Sequence, residues 1–264
     1  MVETTLSGSQ APGAGRLDGK IALITGASSG FGRQFAQALA GAGAAVAVTA
    51  RRADRIDALA AEINDGGGRA MAVAMDVTDL GSIDAAVGAA EDRFGPISVL
   101  VNNAGVSAQK PIVEMTEEDY DFVMDTNAKG AYFVAQRVAR RMIEKGEGGR
   151  IINVASAGAL KVLNQLSVYC MSKAAMAHMT RTMALEWARY DINVNAICPG
   201  YIETEMNAHV WKSEPGQRLI QTFPRRRLGD ITDLDGIVLL LASDDSRFIN
   251  GTVIPVDDGY TSLS

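Results

Sequence analysis

Ser156, Tyr169 and Lys173 are the residues whose types and spacing could move a proton on and off an oxygen atom. Tyr169 and Lys173 stand four positions apart, so on a helix they share one face. A free tyrosine has a pKa of about 10 and shuttles protons poorly near neutrality. A neighbouring cation favours the phenolate and lowers that value. Any amphipathic helix can carry this spacing, so position carries the argument. The pair falls on the helix expected after the fifth strand. Ser156 lies thirteen residues before Tyr169, at that strand's carboxyl end, where its hydroxyl could hold an oxygen that develops charge.

A second constellation suits a phosphate-bearing ligand. The first expected strand runs into Thr25-Gly26-Ala27-Ser28-Ser29-Gly30-Phe31-Gly32 and then into an amphipathic helix. Glycines let the backbone turn tightly and approach a pyrophosphate, and the helix N-terminus offers unpaired N–H groups and a positive dipole end. That context, a strand before and a helix after, makes the turn a dinucleotide site. An acid closing the second strand would accept a ribose 2′-OH. Here Ala50 is followed by Arg51 and Arg52, and a guanidinium instead grips a 2′-phosphate through charge-assisted hydrogen bonds. The reading is NADP(H), with NAD(H) as the alternative.

The elements that must position these groups alternate along the chain. Val- and Ile-rich runs at Lys20–Thr25, Ala44–Ala50, Ala70–Asp76, Ile97–Val101, Arg150–Ala155, Ile192–Cys198 and Thr252–Val256 read as strands covered on both faces. Helices are expected near 30–42, 53–64, 79–94, 116–145, 167–190 and 230–243. Thr116 with Asp119, and Ser167, read as caps. This pattern predicts an α/β chain: a Rossmann-type, doubly wound, seven-stranded parallel sheet with right-handed crossovers. Residues 1–18 read as a flexible arm and 19–264 as one catalytic domain. The stretch 203–229, with Met206, His209, Trp211, Phe223 and Pro224, is longer than the other connections. It follows the carboxyl end of a strand and reads as a substrate lid over a helical pair.

Composition narrows the function further. With 47% hydrophobic residues and a formal net charge of −6 over 264 residues, the chain suits a well-cored globular protein and argues against a nucleic-acid partner. The one dense basic run, Arg225-Arg226-Arg227, reads as a solvated loop or a subunit contact. No apolar run reaches membrane-spanning length, and the start lacks the features of a secretory signal, so a cytoplasmic protein is expected. His178 and His209 are isolated and no cluster has ligand spacing, so no metal is expected. Cys170 and Cys198 read as packing residues, with Cys170 facing away from Tyr169. Met171 and Met176 also read as packing.

The glycine turn, Asn102-Asn103-Ala104-Gly105, Asp76, Asn127, Ser156, Tyr169-x-x-x-Lys173 and Pro199-Gly200 with Thr204 occur in the order found in the short-chain dehydrogenase/reductase family. From Arg16 to the C-terminus the chain resembles the family's compact form. The resemblance implies hydride transfer between a nicotinamide cofactor and a carbonyl/alcohol pair. Ser156 would bind the substrate oxygen, Tyr169 would act as general acid or base, and Lys173 would lower the tyrosine pKa and hold the nicotinamide ribose. Asn127 would support a water chain to Lys173. Cofactor contacts are implied at Gly26, Ser28, Ser29, Gly30, Phe31, Gly32, Arg51, Arg52, Asp76, Val77, Asn103, Ala104, Gly105, Tyr169, Lys173, Pro199, Gly200, Ile202 and Thr204.

A ketone reductase resembling the 3-oxoacyl-thioester reductases is the main reading, although Leu166 stands where many of those carry glutamine and makes the pocket more apolar. An alcohol or polyol dehydrogenase is the second reading. A non-catalytic cofactor-binding regulator is a distant third, because Asn127, Ser156, Tyr169 and Lys173 are all present. Relatives commonly form homotetramers through the helices at 116–145 and 167–190 and the C-terminal segment.

Overall fold

The computed structural model describes residues 15–204 and 207–263. Seven parallel strands form one sheet in the order β3-β2-β1-β4-β5-β6-β7. They are β1 Ile21–Thr25, β2 Ala45–Ala50, β3 Arg69–Ala74, β4 Val99–Asn102, β5 Gly149–Val154, β6 Ile192–Pro199 and β7 Val253–Val256. The helices are α1 Gly30–Gly41, α2 Ala53–Asp65, α3 Leu80–Phe94, α4 Glu117–Met124, α5 Ala131–Lys145, α6 Ser167–Trp187, α7 Ala208–Trp211, α8 Glu214–Ile220 and α9 Asp235–Ala242. The chain is a single Rossmann-type α/β domain.

The strands read as unbroken apolar runs because each face of the sheet has its own core. Ala22, Ile24, Val46, Val48, Val99, Val101, Ile152 and Val154 point to one side, where they meet Phe35 and Leu39 of α1, Ile56 and Leu59 of α2, and Val238 and Leu241 of α9. Leu23, Ala47, Leu100, Ile151 and Val194 point to the other, against Ile83 of α3, Val134 and Val138 of α5, and Met183 of α6. The side-chain period of two along a strand divides neighbours between these layers. The chain runs β1, β2, β3 outward and then crosses to β4 on the far side of β1. The crevice where the order reverses, at the carboxyl ends of β1 and β4, is where ligands bind in such sheets.

Several local expectations change. Residues 1–14 of the expected arm, and Met206 of the expected lid, lie outside the described residues. Residues 15–18 pack against the domain: Leu17 is fully buried, and its N–H donates to the Ala42 carbonyl at 2.9 Å. Thr116 does form a capping box with Asp119. Ser167 does not cap α6; it is the first helical residue, and Leu166 occupies the cap with no side-chain hydrogen bond. Just before it, Gln165 takes a left-handed backbone (φ 60°) while its carbonyl accepts from Lys110 N–H at 3.0 Å, and the helix starts one residue earlier than a Ser167 cap would set it. The expected helix 116–145 is interrupted by a π-helical turn at Asp125–Gly130. Met171 is half exposed rather than packed, whereas Met176 is buried.

Candidate active site

The turn after β1 is held by side chains that bond its backbone. Thr25 Oγ1 accepts from the N–H groups of Asn103 and Ala104, both at 2.9 Å. Asn103 Nδ2 donates to the carbonyls of Thr25 at 2.9 Å and Gly26 at 3.2 Å. The ends of β1 and β4 are thereby fastened together. Gly26 has φ +67°, and a Cβ there would lie 2.8 Å from Ala104 Cα. A Cβ on Gly32 would lie 2.5 Å from both Asn103 Nδ2 and the Gly26 carbonyl oxygen. Gly30, by contrast, faces open space at φ +55°. Ser29 occupies the N-cap of α1 without a side-chain bond to the helix, so the first N–H groups stay open to an anion. A pyrophosphate fits this cradle. Phe31 beside it stacks on Phe35 at 6.1 Å.

Arg52 reaches the same turn from the end of β2. Its Nη2 donates to Ser28 Oγ at 2.8 Å and Ser29 Oγ at 3.0 Å, which places a guanidinium and two hydroxyls side by side. Arg51 is exposed and lies close enough to Asp76 to stabilise its charge. Burial works against the Asp76 carboxylate, but hydrogen bonds from Thr78 N–H and Oγ1, together with Arg51, hold it below the ordinary range. Val77 is buried beside it.

The proton-transfer residues meet at the carboxyl ends of β4 and β5. Ser156 follows β5, and its Oγ accepts from Gly158 N–H at 3.0 Å. The Ser156 and Tyr169 side chains are hydrogen-bonded to each other. Lys173 is almost fully buried; its Nζ donates to the Val154 carbonyl at 2.8 Å and lies 5.8 Å from the centre of the Tyr169 ring. Asn127 is fully buried in the π-turn. Its Oδ1 accepts from Val106 N–H at 2.8 Å, and its Nδ2 donates to the Val106 carbonyl at 2.8 Å and to Ser172 Oγ at 3.0 Å. Ser172 Oγ in turn donates to the Tyr169 carbonyl at 2.7 Å. A Cβ on Gly105 would lie 3.3 Å from Asn127 Oδ1 and 3.4 Å from Lys173 Nζ, so close approach explains this glycine.

Burial dominates the electrostatics of this pair. Burial pushes the Tyr169 hydroxyl above its ordinary range; the Ser156 hydrogen bond opposes the shift, and the Cys170 and Cys198 thiols add to it. Burial drives the lysine itself down to about 8, and its ammonium is committed to a carbonyl. Cys170 departs from the expectation. It faces the site, because the loop after Ser156 folds back over the first turn of α6. A Cβ on Gly158 would lie 3.4 Å from both Cys170 Sγ and Ser156 Oγ.

The other wall comes from the segments after β6 and β7. Pro199 ends β6, and a Cβ on Gly200 would lie 2.7 Å from Asp257 Cβ, so the strand end lies flat on the C-terminal turn. Ile202 is buried and bridges to Gly229. Thr204 N–H donates to Asn207 Oδ1 at 2.7 Å. Helices α7 and α8 then sit on an apolar cluster of Trp211, Ile220 and Phe223 with Tyr201, Leu219, Leu228 and Tyr260. A cavity of about 190 Å³ beside this cluster is lined in part by Tyr201, Phe223, Arg227 and Tyr260. The basic run contacts this chain: Arg225 pairs with Asp258 at 3.2 Å, and Arg227 with Asp258 at 3.6 Å and Asp233 at 3.7 Å.

Sequence reasoning missed Thr25, Ser172, Tyr201 and Tyr260. Tyr201 carried a usable signal, its place directly after Pro199-Gly200; Tyr260 carried none. Among the described residues no group of three or more His, Cys, Asp or Glu is arranged to hold a metal ion, and no helix is long and apolar enough to cross a membrane.

A family model described as Enoyl-(Acyl carrier protein) reductase matches residues 26–261. The chain is 41% identical over 254 residues to a sorbitol dehydrogenase of Cereibacter sphaeroides, covering 92% of this chain and 98% of that protein. It is 37% identical over 246 residues to a D-threitol dehydrogenase of Mycolicibacterium smegmatis, with 93% and 94% covered. Its fold matches the crystal structure of a gluconate 5-dehydrogenase from Burkholderia cenocepacia in complex with NADP and tartrate, with TM-score 0.91, 37% identity, and 95% and 98% of the two chains covered.

Proposed function

The chain belongs to the short-chain dehydrogenase/reductase family, oxidoreductases of the CH–OH group, and from that premise we propose that it interconverts a polyol or sugar alcohol and its ketone with NADP(H). The observation that carries the reading is the convergence of Ser156, Tyr169 and Lys173 beside the glycine turn of the same crevice. The cofactor supplies or accepts the hydride when bound, and the protein handles the proton. Ser156 and Tyr169 hold the substrate oxygen between their hydroxyls. Tyr169 gives its proton in reduction and takes it back in oxidation; in the chain alone burial keeps it protonated. Lys173, near neutrality at about 8, lies within proton-relay range of the Tyr169 ring. Asn127 fixes the Val106 backbone on one side and, through Ser172, the Tyr169 backbone on the other.

Preference for NADP(H) rests on Arg52. Its guanidinium and the Ser28 and Ser29 hydroxyls make a donor cluster at the end of β2, in place of the basic residue that many NADP-binding relatives carry inside the glycine turn. Ala50 at the end of β2 offers no carboxylate to a ribose 2′-OH. The polyol reading replaces the acyl-thioester one, supported by the sorbitol and threitol relatives. Stretch 203–229 acts as the substrate-side cover. Assembly as a homotetramer belongs to the same reading, through exposed Tyr132 on α5 and Met171 and Leu185 on α6; sedimentation at micromolar concentration tests it.

The functional test is nicotinamide absorbance with a panel of polyols, keto-sugars and 3-oxoacyl thioesters, using NADP(H) and NAD(H) in parallel. Polyol and keto-sugar turnover, faster with NADP(H), is the expected result. Turnover confined to 3-oxoacyl thioesters would overturn the substrate class, and silence throughout would overturn the enzyme reading.

A further inference from the structure

Ser156 is held by a group outside the set that moves the proton. Its backbone is extended (φ −173°, ψ 158°) as it leaves β5, and the residues after it, Ala157–Ala159, make one tight turn. That turn closes on its own backbone. The Ala159 N–H donates to the Ser156 carbonyl at 2.9 Å, and the N–H groups of Leu160 and Lys161 both donate to the Ala157 carbonyl at 2.9 Å. The Gly158 N–H is not spent on this ladder. It donates instead to Ser156 Oγ at 3.0 Å, the oxygen assigned above to the substrate. A serine hydroxyl has one proton and two lone pairs. An N–H on one lone pair fixes the rotamer, makes the oxygen less basic and makes its O–H the stronger donor.

Space around the same oxygen explains why residue 158 is a glycine. Its φ lies outside the left-handed region, so the backbone conformation does not demand one. Gly158 is buried, however, and a Cβ there would lie 3.3 Å from Leu163 Cδ1, 3.4 Å from Cys170 Sγ and 3.4 Å from Ser156 Oγ. Contacts this short oblige a neighbour to give way by a few tenths of an ångström. Leu163 comes from the loop that folds back over α6, and Cys170 from the first turn of α6, one residue past Tyr169. The Cys170 sulfur therefore stands where a side chain at 158 would need room. Of the three neighbours, Ser156 is the one whose displacement reaches the chemistry.

We propose that Gly158 is a positioning residue for the reaction: its N–H holds the Ser156 hydroxyl toward the reacting oxygen, and its bare Cα, matched to Cys170, leaves that hydroxyl where it stands. The inference rests on the assignment of Ser156 to the substrate oxygen and says how that hydroxyl is aimed, whichever alcohol is bound. It also divides the work between the two hydroxyls of the site. Ser156, with a lone pair already filled, donates, and the proton that moves belongs to Tyr169. A misplacement of 1 Å can cost about 10² in rate, so a shift of a few tenths should cost about three- to tenfold.

A mutant cycle on the full-length enzyme, with NADP(H) and the fastest substrate of the panel, tests this. Gly158→Ala should lower kcat/KM for that substrate by about three- to tenfold and leave KM for the cofactor at its wild-type value. Ser156→Ala should lower kcat/KM by about 10² or more. In that background no hydroxyl remains to be moved, so adding Gly158→Ala should change kcat/KM by less than about twofold, a failure of additivity that a general packing defect would not show. Cys170→Ala makes room beside the new methyl, and Gly158→Ala with Cys170→Ala should lie within about twofold of Cys170→Ala alone. Wild-type kcat/KM in Gly158→Ala, a loss that persists in full when residue 156 is alanine, or no recovery with Cys170→Ala would each overturn the proposal and leave the site assignment standing. Wild-type kcat/KM in Ser156→Ala would overturn both. If Gly158→Ala fails to fold, the cycle is run in a Leu163→Ala background, which clears one neighbour and keeps the methyl between Cys170 Sγ and Ser156 Oγ.

Discussion

The two walls of the crevice are made from different materials. On the cofactor side, backbone does the shaping: Gly26 and Gly32 leave no room for a Cβ, and Thr25 and Asn103 spend their side chains on main-chain groups. On the side proposed for the substrate, side chains do it: Tyr201, Trp211, Phe223 and Tyr260 close the wall as interlocked rings drawn from distant segments. A wall of backbone presents the same N–H groups whatever side chains surround it, which suits a ligand common to many reactions. A wall of side chains can be re-cut ring by ring, which suits a ligand that varies. Ser156, Tyr169 and Lys173 stand at the seam.

The largest effect should come from the seam. Tyr169→Phe should lower kcat by about 10²–10⁴, the usual contribution of a positioned acid/base group, while the affinity for NADPH, read by fluorescence titration, stays at the wild-type value. If turnover persisted at the wild-type rate, the proton path assigned here would be wrong. The backbone wall comes next. Gly32→Ala inserts a methyl 2.5 Å from the Gly26 carbonyl and Asn103 Nδ2 and puts two hydrogen bonds of Asn103 at risk. It should weaken cofactor binding about tenfold or more and lower Tm. Unchanged affinity would mean that this wall is softer than its contacts indicate.

Arg52→Ala tests the one side chain through which the backbone wall chooses its ligand. Losing a charged donor should lower kcat/KM with NADPH about tenfold and leave NADH nearly unchanged. Equal losses with both cofactors would assign Arg52 to holding Ser28 and Ser29 rather than to reading a phosphate.

The smallest effect is a stability slope. Lys173 titrates at about 8 in the native protein against 10.5 for an ordinary lysine. Below about 8 both the folded and the unfolded chain carry this proton, and the burial penalty is constant. Between 8 and 10.5 the unfolded chain binds the extra proton, so this group makes stability rise with pH. Urea unfolding of wild type and Lys173→Met across that window should show the rising contribution only in wild type; parallel curves would mean that the lysine is not desolvated as described.

Legibility followed the same division. The strands, the glycine turn and the Thr116–Asp119 box were readable because each is a rule about consecutive residues: an unbroken apolar run, a positive φ, an N–H in need of a cap. Ser156, Tyr169, Lys173 and Asn127 were readable as an ordered set, and the fold does bring them together. The misses are tertiary. Ser167 obeyed the local rule for a cap, yet a hydrogen bond from Lys110, far away in sequence, set the backbone of Gln165 and moved the start of α6. Cys170 pointed away on a bare helical wheel, and the returning loop turned that face into the site.

The sequence by itself therefore determined the α/β architecture, the crevice where strand order reverses, and the chemistry of a phosphate cradle beside a tyrosine–lysine pair. Periodicity, glycine geometry and helical spacing act over a few residues and need no partner to be read. Only the tertiary structure decided that Arg52 lies on the Ser28 and Ser29 hydroxyls, that burial raises Tyr169, and that Tyr201, Phe223 and Tyr260 from distant segments pack as one cluster. Each of those depends on groups brought together by packing, and the field and dielectric at a side chain are set by the neighbours that the fold supplies.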